Sequence, residues 1–296
     1  VGPRSFLAAV AVFTLLLVAL ILWVYPSRAD FAASNPSWNG FGVASRQLGI
    51  KRIASLRFLP GEGGRTALIV IPYVSPSPSD LETIKQYVDA GGVLILMDDF
   101  GFGNAVLEGL GVGARFSGQL LVDPLFNFKN RRLPRIAEFP PGPASEGVRE
   151  LILNRATMIS VVEGMRVLAR STPVSFLDAD ENGRRDAGEE GGSFAVAVIV
   201  PVRAGSLVLV SDPSMLLNSM LDLADNRRFV QNLFRVAGDG AQVYLDESHL
   251  PRAPLDVAKD GLHQSRGFLS SPLVAFAIGG VGLALPLVVL WKSTRR

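Results

Sequence analysis

Twelve consecutive residues, Asp178-Ala-Asp-Glu-Asn-Gly-Arg-Arg-Asp-Ala-Gly-Glu189, place oxygen donors at a spacing that suits a hard cation. With Asp178 as position 1, carboxylates or amides fall at positions 1, 3, 5, 9 and 12, and Gly183 stands at position 6, where the loop must turn sharply. This is the spacing of an EF-hand calcium loop. Alternate side chains of a tightly curled loop point inward, so Asp178, Asp180 and Asn182 supply side-chain oxygens and Arg184 its backbone carbonyl. Asp186 binds directly or through water, and Glu189 closes the site with both oxygens. The flanks, 173–177 and 194–202, read as strands rather than helices, which predicts a structural calcium loop inserted in a hairpin at 173–202. The competing reading is an acidic, glycine-rich surface turn.

A second group of polar residues stands where apolar runs stop. The run Val93-Leu-Ile-Leu-Met97 ends on Asp98 and Asp99, followed by a glycine-rich turn to Asn104; 206–210 ends on Ser211 and Asp212; 242–245 ends on Asp246, Glu247, Ser248 and His249. Unbroken apolar runs of this length suit strands buried on both faces. In open α/β sheets, ligands bind beyond the carboxyl ends of such strands. Asp98, Asp99, Asn104, Asp212, Asn226, Asp246, Glu247 and His249 are therefore the candidate ligand-binding residues, against the local alternative that Asp, Asn and Ser here cap helices and start loops. A hydrolase reading would use Ser211 or a metal-bound water as nucleophile and His249 as base, oriented by Asp246 or Glu247. Against it, Ser211 lacks the Gly-x-Ser-x-Gly setting that exposes a nucleophilic serine.

The elements that position these residues follow from periodicity. Strands are expected at 53–59, 66–73, 93–97, 120–125, 165–169, 194–202, 206–210 and 242–245, and helices at 79–90, 104–110 and 224–236. The first of these helices has acidic residues in its first turn, one apolar face (Leu81, Ile84, Tyr87, Val88) and Gly91-Gly92 behind it. Strand, helix, strand at this spacing is a parallel βαβ unit. The segment 151–162 fits either a strand or a short helix, and the basic run at 127–135 reads as a solvated face. The expected fold is α/β: a doubly wound, mostly parallel sheet of flavodoxin-like or amidotransferase-like type, with one transmembrane helix at each end.

The 296 residues include no cysteine, so disulfides, thiolate metal sites and a cysteine nucleophile are excluded. Arg4, Lys292, Arg295 and Arg296 account for four of the 29 basic residues, and the remaining 25 face 27 acidic ones, which leaves no charge excess for a nucleic-acid surface. The uncharged apolar runs 5–27 and 267–291 are each long enough to cross a bilayer. A cleaved leader is the alternative for the first. The bias of basic residues puts both termini in the cytoplasm and the body outside. The expected division is a span at 1–26, an extracytoplasmic domain at 27–266, and a span with a basic tail at 267–296.

The combination of Asp98-Asp-Phe-Gly-Phe-Gly-Asn104, Leu121-Val-Asp-Pro-Leu-Phe-Asn127, Val210-Ser-Asp-Pro213, Asp225-Asn-Arg-Arg-Phe229 and Asp246-Glu-Ser-His249, set between two apolar ends, resembles the membrane-anchored family of domain of unknown function 4350. That family is similar in fold to class I glutamine amidotransferase domains, whose site is Cys-His-Glu; this chain has no cysteine to fill it. The resemblance implies a non-catalytic cell-envelope protein, with the lipid bilayer and envelope proteins as partners and a link to a MoxR-type ATPase system. The expected function is ligand binding or complex assembly with a structural calcium site and no organic cofactor.

Overall fold

The computed structural model describes residues 3–60 and 65–259. The described residues divide into two compact units, one with 3–27 and 252–259 and one within 28–251. In the larger unit the strands are β1 (Lys51–Ile53), β2 (Thr66–Val70), β3 (Val93–Met97), β4 (Arg115–Phe116), β5 (Leu120–Val122), β6 (Asn127–Phe128), β7 (Asn130–Ile136), β8 (Leu151–Ile152), β9 (Ile159–Ser160), β10 (Arg166–Arg170), β11 (Phe176–Asp178), β12 (Ala195–Val202), β13 (Gly205–Val210) and β14 (Gln242–Asp246). Helix α1 (Pro3–Val24) belongs to the smaller unit; α2 (Gly42–Gln47), α3 (Pro78–Asp89), α4 (Asn104–Gly109) and α5 (Asn226–Phe234) belong to the larger.

Nine strands form one sheet in the order β1-β14-β2-β3-β13-β12-β9-β4, with β10 also paired to β12. The pairs from β1 to β13 are parallel, and those from β12 onward are antiparallel. The expectation of a doubly wound, mostly parallel sheet is therefore corrected to a mixed sheet. The reason lies in two residues. Arg203 and Ala204 alone connect β12 to β13, a link that permits only an antiparallel hairpin. Arg203 takes φ 53° in that turn. Gly205 completes it, because a Cβ there would lie 2.3 Å from the Gly92 carbonyl oxygen and 2.5 Å from that of Val88.

Every residue of β3 is buried. Val93, Ile95 and Met97 enter one core, shared with α5 through Phe229, Val230 and Leu233. Leu94 and Leu96 enter the other, shared with α3 and α4 through Ile84, Val88, Val106 and Leu107. Full burial of a leucine or isoleucine stabilises by about 1.5–3 kcal/mol, so this strand alone fixes the two-faced layering. Helix α3 starts on a reciprocal cap: Ser77 Oγ accepts the Asp80 N–H at 3.2 Å and Asp80 Oδ2 accepts the Ser77 N–H at 3.2 Å, with Pro78 in the first turn.

Some segments depart from expectation. Of the first expected strand, 53–59, only Ile53 pairs, at the end of β1, because Ser55 accepts the Arg57 N–H and turns 56–58 into a short 3-10 helix. The segment 151–162 is neither one strand nor a helix but the two short strands β8 and β9. The basic run forms β6 and β7, a separate three-stranded sheet with β8.

The two-span expectation is also corrected. A span needs about 20 consecutive apolar residues. Among the described residues no helix is long and apolar enough to cross a membrane. The second expected span, 267–291, lies outside the described residues. The assignment of a membrane location, cytoplasmic termini and an extracytoplasmic body needs such spans, and no helix among the described residues supplies one.

Candidate functional site

Strands β14, β2, β3 and β13 run parallel, so their carboxyl ends share one edge of the sheet. At its centre the Asp98 N–H continues the ladder to the Val210 carbonyl at 3.0 Å. The Asp98 carboxylate turns back into the glycine loop: Oδ1 accepts from the N–H groups of Phe100 (2.9 Å) and Gly101 (3.1 Å), and Oδ2 from Gly103 (2.6 Å). Burial raises its pKa, against the pull of those donors. A Cβ at Gly103 would stand 3.0 Å from Asp98 Oδ2, which explains the glycine.

Asp212 is wholly buried; Oδ2 accepts the Asn154 N–H and Oδ1 the Ser214 N–H, each at 2.7 Å. Burial pushes its carboxyl up to about 7. Asp99 is pushed up to about 8, by burial first and then by the neighbouring charges of Asp212 and Asp98, with Arg155 opposing. Tyr73, just past β2, faces the same group: burial, then Asp99, Asp30, Asp212 and Asp98, hold its hydroxyl well above the ordinary phenol range. Its ring lies 6.0 Å from Phe31 and 5.8 Å from Phe100, and Phe100 lies 6.3 Å from Phe102. Phe100 and Phe102 are exposed.

The sign of the resulting pH dependence is fixed. Below the ordinary carboxyl value of 3.8 Asp99 carries its proton folded or unfolded. As pH rises from there to about 8 only the folded form keeps it, so stability from this group is lost over that window. Asp99→Asn is expected to melt at the wild-type temperature near pH 3.5 and progressively above it toward pH 8; parallel melting curves across the range would contradict this.

At β14 a second polar group forms. Asp246 Oδ1 accepts from Ser248 Oγ (2.6 Å) and Ser248 N–H (3.1 Å), while Oδ2 pairs with His249 Nδ1. His249 Nε2 stands 3.6 Å from Asp80 Oδ2. Burial pulls the imidazole down, but Asp246 and Asp80 outweigh it and the net pKa is raised. The group borders a cavity of about 360 Å³ lined by serines 55, 75, 77 and 79 and by Arg57. Glu247 points away and pairs with Arg52 at 2.9 Å.

Ser211 makes no contact with this histidine through hydrogen bonding: its buried Oγ has no hydrogen-bond partner among the described residues. A buried hydroxyl without a partner costs stability. Ser211→Ala is expected to leave the melting temperature unchanged or raise it; a clear fall would show that the hydroxyl has a partner in solution.

Asn104 and Asn226, expected at the same edge as ligand contacts, are occupied in holding the chain together. Asn104 Oδ1 accepts the Phe116 N–H and its Nδ2 donates to the Phe116 carbonyl, both at 2.9 Å. Asn226 Oδ1 accepts the Ile152 N–H (3.0 Å), and its Nδ2 donates to the carbonyls of Ile152 (2.8 Å) and Met220 (3.0 Å). Tyr73, Asp80 and Arg155 escaped the sequence reading; applying the strand-end rule to 66–73 would have found Tyr73.

The 178–189 loop follows β11, which pairs with β5. Asp178, Asp180 and Glu189 each bring a carboxylate oxygen to within 4.8 Å of the others. Asn182 Nδ2 donates to Asp180 Oδ2 (2.8 Å) and Asp186 Oδ2 (2.6 Å), and the Arg184 N–H donates to Asn182 Oδ1 (2.7 Å). Gly183 turns the loop with φ 77°.

These features define a mixed α/β domain with an acid-rich strand-end edge. Residues 33–234 match the model of a family described as Domain of unknown function (DUF4350). The chain belongs to this family. No curated protein matches it in sequence. Among solved structures, the mmIFT52 N-terminal domain is 14% identical, with 58% of this chain and 77% of that one covered and a TM-score of 0.46. The beta-galactosidase from Bacillus circulans sp. alkalophilus is 14% identical over 60% of this chain and 23% of its own, with a TM-score of 0.35. A cytoplasmic protein of Salmonella typhimurium LT2 is 15% identical over 62% and 76%, with a TM-score of 0.36.

Proposed function

We propose that this chain is a non-catalytic binding or complex-assembly domain that takes a cationic group of its partner, an ammonium or guanidinium, at the strand-end edge. The observation that supports this reading is the setting of Tyr73: its ring lies in a row with Phe31 and Phe100, and its charged neighbours are Asp99, Asp30, Asp212 and Asp98. Aromatic faces attract cations through the ring quadrupole. Carboxyls that burial and mutual repulsion keep protonated near neutral pH gain a counter-charge when a cation arrives, ionise and release a proton. Binding of this kind needs no nucleophile.

The test is calorimetric titration of the chain with a hexa-arginine peptide, run at pH 6 and pH 9 in buffers of different ionisation enthalpy. Tighter binding at pH 9 and proton release near pH 7 are expected. Asp99→Asn and Phe100→Ala should each weaken binding by about tenfold with the fold unchanged by circular dichroism. Wild-type affinity in both variants, or preference for a hexa-glutamate peptide, would overturn the reading.

A further inference from the structure

Asp178 is fully buried at the end of β11. One of its carboxylate oxygens accepts the Gly183 N–H at 2.8 Å; the other, Oδ1, has no partner among the described residues. A buried carboxylate oxygen left bare is unfavourable, and here it stands beside two further carboxylates within 4.8 Å, those of Asp180 and Glu189.

The structure assigns a calcium ion to the 178–189 loop, held by Asp178, Asp180 and Glu189 and acting as a clamp between that loop and β7. The donors are all hard oxygens, with no nitrogen or sulfur ligand among them, which selects a cation of the calcium or magnesium kind. A loop of flexible carboxylates closed by glutamate suits the larger ion, because magnesium demands a tight octahedron. The Asn182 amide nitrogen now bridges Asp180 and Asp186; with calcium bound, the amide turns its oxygen to the ion instead.

The clamp follows from what grips the loop from outside. The Arg131 guanidinium donates to the Gly183 carbonyl and Arg132 Nη2 to that of Glu181 at 2.8 Å, both from β7. Arg155 Nη2 pairs with Glu181 Oε2 at 2.6 Å. Arg155 follows Asn154, whose N–H holds Asp212. An ion that fixes the loop therefore also steadies the turn at one side of the strand-end edge. This site stands apart from the cation-binding reading above and is tested separately.

Calorimetric titration of the chelator-treated full chain with calcium chloride is expected to show one ion bound, with a raised melting temperature. Glu189→Gln and Asp180→Asn, both outside the cores, should lower calcium affinity at least tenfold while keeping the wild-type circular dichroism spectrum. Asp178→Asn should abolish the calcium response and raise the melting temperature measured in chelator, since it removes a buried charge. The assignment is overturned by the absence of heat and of any thermal shift on adding calcium, or by calcium affinity that survives both Glu189→Gln and Asp180→Asn unchanged.

Discussion

Asn226→Ala is expected to lower stability by about 3 kcal/mol or more, enough to shift the melting curve by several degrees. Asn226 is wholly buried, and its side chain satisfies three backbone groups, the N–H and carbonyl of Ile152 and the carbonyl of Met220. Each buried group left bare costs about 1–3 kcal/mol, and the methyl group of alanine reaches none of them. Asn226→Asp should also lose stability, because it replaces two donors with acceptors facing carbonyl oxygens. Thermal unfolding of both variants checks this; wild-type stability in Asn226→Ala would mean that Asn226 is free to contact a ligand.

Phe229→Ala is expected to cost about 3–5 kcal/mol, the usual penalty for emptying a buried aromatic site. Phe229 is fully buried on α5 with its ring 6.4 Å from that of Phe139. Phe229→Leu should recover most of the loss by keeping the site filled. Denaturant titration of the pair separates the two cases, and equal midpoints for alanine and leucine would show that this core is not close-packed.

The elements around the strand-end edge were legible where a single local cause decides them. The apolar run at 93–97, the acidic first turn and glycine stop of α3, and the polar residues after 210 and 245 place strand, helix and edge close to their observed bounds. Sheet direction does not follow from βαβ spacing alone, because the short link at Arg203 and Ala204 dictates an antiparallel pair. Asn104 and Asn226 show a second limit. An amide is equally suited to a ligand and to a peptide group, and only the fold reveals that Phe116 and Ile152 stand opposite them. The basic run at 127–135 reads as solvated surface in the sequence because its partners, Glu181 and Gly183, lie some fifty positions onward in the chain.

The place of β14 between β1 and β2 governs the order in which the molecule assembles. The hairpin of β12 and β13 closes across two residues and forms early, whereas Lys51 pairs with Tyr244 and Thr66 with Gln242. Contacts of such sequence separation are slow to form. During synthesis β1 and β2 thus wait as unpaired edges until the chain has emerged past Asp246, and unpaired edges invite association with other chains. A chain cut before Gln242 would keep both edges open, so premature truncation yields aggregation rather than a smaller folded domain.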